Sequence, residues 1–264
     1  MSAVVITITS GKGGVGKTTA TANLSAALAL RGYKVVAIDA DIGLRNLDVV
    51  MGLENRIVYD LVDVVEGSCR LRQAMIKDKR LPELYLIPAA QSRDKTAVTP
   101  GDMIELTNQL REEFDFIFID SPAGIEQGFK NAVAPADRVV IVTTPEVSAV
   151  RDADRIIGLI EAEDKGPGEL ILNRLRVDMV KRGDMLNTDD VIDILAINLM
   201  GVVPDDEAIV VSTNRGRPAV LENGSLAGQA FKNIAGRLLG ETIPFVDLEE
   251  NGSFIQRLTK FFKG

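Results

Sequence analysis

Residues 10–19, SGKGGVGKTT, decide the fold, because they fit two phosphate-binding patterns at once. Residues 11–16 form G-x-G-x-x-G, which is typical of dinucleotide-binding proteins, and residues 11–18 form G-x-x-x-x-G-K-T, the P-loop pattern. The dinucleotide pattern does not require Lys17 and Thr18. In a P-loop the lysine reaches the β- and γ-phosphates and the threonine hydroxyl binds Mg²⁺. The sequence therefore favours a P-loop.

The nucleotide contacts expected from this loop combine backbone N–H groups with two side chains. Glycines let the backbone approach the phosphates closely, so the whole loop is predicted to wrap them. The predicted contacts are Gly11, Lys12, Gly13, Gly14, Val15, Gly16, Lys17, Thr18 and Thr19.

A second acidic element is needed to support Mg²⁺, and the sequence supplies one. Residues 116–119 are an apolar run, FIFI, that ends at Asp120. Ligands of open α/β sheets bind beyond the carboxyl ends of the strands. Asp120 is therefore predicted to lie at the metal together with Thr18. Asp39, which follows the second apolar run, also matches the acid of a dinucleotide fold, so that alternative has some support.

Lys12 is a second lysine inside the loop, and its own nucleotide does not need it. Its flanking glycines place it close to phosphate, so it can reach phosphate held by a second subunit across a two-fold axis. There it would stabilise developing charge in the manner of an arginine finger. Hydrolysis would then depend on dimerisation. The alternative is an ordinary solvated loop lysine.

Composition narrows the possible functions. The 264 residues are 46% hydrophobic and 26% charged, as in globular proteins, and no apolar run is long enough to span a membrane. A single cysteine, Cys69, and the absence of histidine exclude an internal disulfide framework and histidine catalysis. The net charge of −8 disfavours broad attraction to DNA. The apolar N-terminus lacks a basic region and a cleavage site, so it indicates a strand rather than a signal peptide.

Short apolar runs alternate with helical patterns along the chain, which predicts a doubly wound α/β fold with a mostly parallel sheet. Predicted strands cover 4–8, 35–38, 84–87, 116–119, 139–142, 170–172 and 200–203. Predicted helices cover 18–30, 102–113, 148–162 and 225–239.

The motif K-G-G-V-G-K-T-T, with its extra lysine, resembles the deviant Walker A motif of the MinD/ParA ATPases. Residues 38–48 (IDADIGLRNLD) resemble the switch region after the second strand of that family, and residues 120–126 (DSPAGIE) resemble its magnesium-site strand end and switch loop. Residues 144–154 and 182–186 extend the resemblance over nearly the whole chain, and the match is strongest to members that place the division septum.

The resemblance implies roles for further residues. Asp41 would position or activate the attacking water, beside Lys12 and Lys17, and Asp39 would lie around the metal, partly through water. The adenine would be held by residues that follow two later strands, namely Asn173, Arg174, Pro204, Asp205 and Asp206, although the last three also suit an ordinary turn and helix start. A partner-binding surface would include Ser148, Arg151, Asp152 and Asp154, although these residues also suit an ordinary helix start.

The C-terminal residues indicate a membrane-binding amphipathic helix by an independent argument. On a helix their apolar side chains occupy an arc of about 120°, with basic side chains opposite and no acidic residue among them. The apolar set is Phe254, Ile255, Leu258, Phe261 and Phe262, and the basic set is Arg257, Lys260 and Lys263. A helix docked on the body is the alternative.

The sequence thus predicts an ATPase domain over residues 1–245, a connector over 246–252 and a membrane-targeting tail over 253–264. By resemblance, the expected protein hydrolyses Mg-ATP, dimerises when ATP is bound and attaches from the cytoplasm to anionic lipid on the inner membrane surface. Its expected partners are a MinC-like division inhibitor and a MinE-like activator, with no specific nucleic acid.

Four alternatives remain. A DNA-segregating ATPase of the same family predicts a basic surface, and an electron donor related to nitrogenase reductase would need two cysteines per subunit. A dinucleotide oxidoreductase predicts NAD binding that survives Lys17→Ala. A non-enzymatic scaffold would localise equally well without nucleotide.

Overall fold

The computed structural model of the chain describes residues 3–248; residues 1–2 and 249–264 lie outside the described part. Eight strands in it form one sheet in the order β3-β4-β2-β5-β1-β6-β7-β8. The strands are β1 Val4–Thr9, β2 Val35–Asp39, β3 Ile76–Lys77, β4 Leu84–Ile87, β5 Phe116–Asp120, β6 Arg138–Thr143, β7 Glu169–Leu175 and β8 Asn198–Pro204. Only β3 pairs antiparallel, with β4, so the predicted mostly parallel sheet is confirmed.

Helices cover both faces of this sheet. They are α1 Lys17–Leu30, α2 Leu47–Met51, α3 Leu61–Val65, α4 Leu71–Ala74, α5 Pro100–Leu110, α6 Gln127–Val133, α7 Val147–Ala162, α8 Val177–Arg182, α9 Thr188–Leu195, α10 Glu207–Asn214 and α11 Leu226–Leu238. Short 3₁₀ turns lie at Glu54–Arg56, Lys95–Ala97 and Ala219–Leu221.

Side-chain alternation in the buried strands divides the core into two faces. On one face, Ile6, Phe118 and Val140 pack with α1 and α11. On the other face, β2 and β5 pack against α5, and β6 and β7 pack against α7 and α9. Strands that bury both faces read as continuous apolar runs, which is why each run was recognisable in the sequence.

The structure differs from the sequence-based expectation in several element boundaries and in elements that were not predicted. The helix expected over 102–113 begins at Pro100, because Thr99 caps it and Asp102 completes a capping box. The two-residue strand β3 was not predicted, since two residues carry no periodic signal.

Past α11, Phe245, Val246 and Leu248 pack on the core, so the chain follows the body through Leu248.

Strand order places the predicted site at the centre of the sheet. β5 lies between β1 and β2, and β6 lies on the other side of β1. The carboxyl ends of β1, β2 and β5 therefore meet at one edge.

Within residues 3–248, no helix combines the length and apolar character needed to cross a bilayer.

Two glycines provide a matched test of the packing. A Cβ on Gly201 of β8 would lie 2.3 Å from Cγ1 of Ile234 in α11, whereas a Cβ on the exposed Gly158 of α7 would have nothing within 4 Å. We expect Gly201→Ala to destabilise the fold by about 1–3 kcal/mol, because the strand and helix must separate. Gly158→Ala should stabilise it by up to about 1 kcal/mol through helix propensity. Urea unfolding curves measure both effects, and equal stability for the two variants would contradict the described β8–α11 contact.

Candidate nucleotide-binding site

The loop between β1 and α1 has the geometry of an anion site. Gly14 and Gly16 have φ angles of 79° and 104°, which favour glycine. Gly16 is the N-cap of the 14-residue α1 and makes no side-chain cap bond, so the N–H groups of the first turn are available to a ligand. These N–H groups and the positive end of the helix dipole favour a phosphate at this position.

Close packing fixes the loop from two sides. A Cβ at Gly11 would lie 2.2 Å from the carbonyl oxygen of Asp152 in α7, and one at Gly16 would lie 2.2 Å from Nδ2 of Asn173. Asn173 is buried and donates from Nδ2 to the carbonyl oxygen of Val15 at 2.8 Å. Asn173, expected at the adenine, thus contacts the P-loop itself. Glycine at positions 11 and 16 is a packing requirement as well as a phosphate-binding one.

Two buried carboxylates lie side by side at the sheet edge. Asp39 and Asp120 are register partners at the ends of β2 and β5, and both side chains are almost fully buried. Burial, followed by the charge of Asp39, raises the pKa of Asp120 to about 7. Burial likewise raises the pKa of Asp39 to about 6. A cation placed here would relieve both the desolvation and the mutual repulsion, so the pair fits a divalent metal.

The two carboxylates have different local partners. Asp39 accepts backbone hydrogen bonds from Asp41 at 3.0 Å and from Asn46 and Leu47 at 3.1 Å each, so it holds the start of α2. Asp120 accepts from the Thr21 hydroxyl at 3.2 Å. The carboxylate oxygens of Asp120 are therefore less occupied by backbone donors than those of Asp39.

Around this pair lie the other residues expected for catalysis. Thr18 is close enough to Asp120 to lower the pKa of that carboxyl by hydrogen bonding. Lys17 is buried, and burial lowers its pKa while the charges of Asp120 and Asp41 oppose the shift. Burial raises the pKa of the half-buried Asp41, against the charges of Lys17 and Lys95. The charges of Lys17 and Asp41 therefore act on each other's pKa, so the two groups lie at the same site.

Thr21 was missed by the sequence reasoning. It lies one helical turn after Lys17, and its hydroxyl oxygen is also 3.0 Å from the carbonyl oxygen of Lys17, the alternative acceptor for its single proton. The i, i+4 spacing from Lys17 was the available signal, because such positions share one helix face.

Lys12 has a different environment from Lys17. Its Nζ lies 3.4 Å from Oε2 of Glu146 and 3.2 Å from Oγ of Ser148, and 42% of its side chain is exposed. It therefore points towards the start of α7. Glu146 was not among the predicted site residues, since the contact joins positions 134 residues apart.

The residues expected at the adenine lie at the ends of β7 and β8. Arg174 is exposed with a φ of 57°, and Asp205 donates its N–H to the carbonyl of Leu175 at 3.0 Å, which ties the two strand ends together. Pro204 ends β8 and is half-buried. Asp206 caps α10 through the N–H of Ala208 at 2.8 Å, which is the helix start that this stretch also suits.

The predicted partner surface forms one side of α7. Ser148, Arg151 and Asp154 are exposed and Asp152 is half-buried. These residues line an open cleft together with Val147 and Arg155. The cleft adjoins both Gly11, through Asp152, and Lys12, through Ser148.

The eight predicted membrane residues lie outside the described part of the chain. They are Phe254, Ile255, Arg257, Leu258, Lys260, Phe261, Phe262 and Lys263.

Comparison with known proteins matches this geometry to one family. The family model CbiA, the CobQ/CobB/MinD/ParA nucleotide binding domain, matches residues 6–219. The septum site-determining protein MinD of Synechocystis sp. is 56% identical over 262 residues, which cover 98% of each chain.

Two solved structures agree with this sequence match. A chain of the MinC:MinD cell division protein complex of Aquifex aeolicus is 50% identical, with a TM-score of 0.86 over 95% of this chain and 100% of that chain. Septum site-determining protein MinD complexed with Mg-ADP from Pyrococcus horikoshii is 32% identical, with a TM-score of 0.81 over 89% of this chain and 96% of that chain. The chain therefore belongs to the MinD/ParA family and, within it, to the MinD group of cell-division ATPases.

Proposed function

We propose that this protein dimerises around Mg-ATP, attaches reversibly to the anionic inner surface of the cell membrane, and positions a MinC-like inhibitor of division. Hydrolysis of ATP separates the dimer and releases it from the membrane. ATP hydrolysis is then a timer, and the location of the protein is its output.

One observation carries this proposal: the two lysines of a single P-loop have different environments. Lys17 is buried beside Asp120 and Asp41, where it suits the phosphates of its own nucleotide. Lys12 is partly exposed and is paired with residues near the start of α7. Surface ion pairs of this kind contribute about 0–1 kcal/mol, so Lys12 can exchange Glu146 for a phosphate of a second subunit at little cost.

The metal-side residues support Mg-ATP as the substrate. Thr18 and Asp120 would hold Mg²⁺, with Asp39 behind them, and the ion would neutralise charge on the phosphates. Asp41 lies at the same edge and would orient the attacking water, a role that does not require a strong base. The structure of the P. horikoshii relative contains Mg-ADP, which supports a magnesium nucleotide as the ligand of this site.

Membrane attachment is proposed to depend on two tails acting together. Burying a large apolar side chain is worth at most about 1.5–3 kcal/mol, and each basic residue near anionic lipid adds roughly 1 kcal/mol. Ordering each tail residue costs roughly 1 kcal/mol or more, so the terms for one tail nearly cancel. In a dimer the second tail binds at high effective concentration, which couples ATP-driven dimerisation to membrane binding.

The surface of α7 is the proposed partner site. Its cleft residues contact the P-loop backbone at Gly11 and the Lys12 side chain. A movement of Lys12 would therefore change the shape and charge of this surface. A MinC-like inhibitor would bind here in the ATP state, and a MinE-like activator would act on the same region. The Aquifex relative is part of a MinC:MinD complex, which supports a MinC-like protein as a partner.

Removal of the Lys12 side chain tests the dimer proposal. Lys12→Ala should lower ATP hydrolysis by roughly 10³-fold or more, because the charge that acts across the dimer is lost. Nucleotide binding should persist through Lys17. Phosphate release measures ATP hydrolysis, and light scattering in the presence of ATP measures dimerisation. Lys232→Ala, at an exposed lysine of α11, is the control. A Lys12→Ala protein that dimerises and hydrolyses ATP normally would refute the proposal.

Removal of the Asp120 charge should have opposite effects on stability with and without Mg-ATP. Because the pKa of Asp120 is raised to about 7 in the folded protein, this group does not lower the stability of the fold below about pH 4, where the carboxyl is protonated in both the folded and the unfolded chain. Above about pH 4 the unfolded chain ionises first, so the loss of stability grows until about pH 7. Without ligand, Asp120→Asn should therefore be more stable than wild type at pH 8, by on the order of 2 kcal/mol, with the difference vanishing towards pH 4. With Mg-ATP the variant should gain little stability, because a metal ligand is missing.

Thermal unfolding at several pH values with and without Mg-ATP measures both effects. Asp193→Asn, at an exposed aspartate of α9, is the matched control and should behave like wild type. Equal stabilisation of Asp120→Asn and wild type by Mg-ATP would remove Asp120 from the metal site.

Sedimentation with lipid vesicles tests the coupling of nucleotide to membrane. Full-length protein should sediment with vesicles of anionic lipid when ATP is bound, and much less with ADP or without nucleotide. A chain ending at Gly252 should still dimerise but remain in the supernatant, because the proposed anchor is missing. Vesicles of phosphatidylcholine are the control for the anionic requirement. Sedimentation that is independent of both nucleotide and tail would contradict the coupling.

A further inference from the structure

Arg80 lies outside the P-loop and the two acidic strand ends, yet its guanidinium group joins the ends of α2 and α10. Asp78, which is almost fully buried, accepts from Nε of Arg80 at 3.2 Å and from Nη2 at 2.7 Å. Burial opposes ionisation of Asp78, but these hydrogen bonds hold its pKa below the usual value. The guanidinium is therefore fixed in one orientation by a charged partner.

The remaining donors of Arg80 reach two backbone carbonyls. Nη2 donates to the carbonyl of Met51 at 2.5 Å, and Nη1 donates to the carbonyl of Gly216 at 2.7 Å. Met51 is the last residue of α2, and Gly216 follows α10. Arginine suits this task because its planar group carries five N–H donors in a fixed geometry, whereas lysine has a compact ammonium.

Two glycines bring the same segments into direct contact. Gly52 and Gly216 have φ angles of 65° and 60°, and a Cβ on Gly52 would lie 2.5 Å from the carbonyl oxygen of Gly216. A Cβ on Gly216 would lie 2.5 Å from Cα of Gly52. The ends of α2 and α10 are thus joined both by Arg80 and by a backbone contact that only glycine permits.

The opposite ends of these two helices lie at the candidate site. α2 begins at Leu47, whose N–H donates to the Asp39 carboxylate. α10 begins after Asp206, which caps it and follows the Pro204 and Asp205 pair proposed for the adenine. Arg80 therefore completes a connected path from the metal-side carboxylate, along α2, across to α10 and back to the adenine side.

We propose that Arg80 is a positioning residue for ATP hydrolysis, which holds α2 so that Asp39 stays in place beside the metal-binding Asp120. This inference rests on the proposed function of Asp39 and Asp120. It assigns the Asp78–Arg80 pair a role in how the site responds to Mg²⁺, in addition to its contribution to the fold.

Arg80→Lys tests this role in the full-length protein. Lysine can still pair with Asp78 but cannot span both carbonyls, so α2 loses its fixed end. We expect kcat at saturating ATP to fall about tenfold, since displacement of a reacting group by a fraction of an ångström has effects of this size. The Mg²⁺ concentration for half-maximal activity should rise at least threefold. ATP affinity measured in EDTA should change less than twofold.

Arg72→Lys is the matched control. Arg72 is an exposed arginine of α4 whose Nη2 donates to Glu113 at 2.7 Å, so it carries the same charge and also has an acidic partner. It should show wild-type kcat and Mg²⁺ dependence. If Arg80→Lys does not fold, the double variant Asp78→Asn/Arg80→Gln removes both charges together and serves for the same measurements.

The outcomes separate this inference from the proposed function. A folded Arg80 variant with unchanged Mg²⁺ half-saturation, even with lower kcat or stability, would reduce Arg80 to a structural residue and overturn the inference alone. A rise in Mg²⁺ half-saturation with unaltered ATP binding in EDTA would support it. Absence of Mg-ATP hydrolysis by the wild-type protein would overturn the proposed function itself.

Discussion

The pairing of Asp39 and Asp120 at adjacent strand ends is the constraint on which the site depends. Their register in the parallel sheet brings two carboxylates together where neither is solvated. Burial raises the pKa of both groups, the charge of Asp39 raises that of Asp120 further, and Lys17 is the nearby cation that opposes this shift at Asp120. Such a site favours a bound divalent cation, and with it a phosphate ligand, because these restore the charge balance that folding has disturbed.

The local parts of this site were predictable from the sequence because each is written in consecutive residues. Glycines at fixed spacing, Lys17 and Thr18 define the P-loop, and apolar runs that end in an acid define β2 and β5. Both strands end one residue further than expected, at Asp39 and Asp120 themselves. The mostly parallel character of the sheet also follows, since short apolar runs that alternate with helical patterns indicate parallel strands.

Contacts between distant positions were not predictable in the same way. Lys12 with Glu146, Asn173 with Val15, and Arg80 with Gly216 each join residues more than 130 positions apart. A single sequence has no periodic or compositional signal for such pairs. Asp39 shows a related limit: its position after β2 indicated an acid near the metal, but its three backbone hydrogen bonds depend on how the following loop folds back.

Under the proposed function, weak contacts would let this protein act as a reversible switch. The Lys12–Glu146 pair is partly exposed at 3.4 Å, so solvent screens it and little free energy opposes its exchange. A strong buried pair would hold Lys12 in the single subunit and prevent it from acting on a second one. By the same reasoning, a tail that bound lipid tightly alone would remain on the membrane after hydrolysis. The proposed reversibility would therefore require that each contact be marginal by itself and become effective only if ATP brings two copies together.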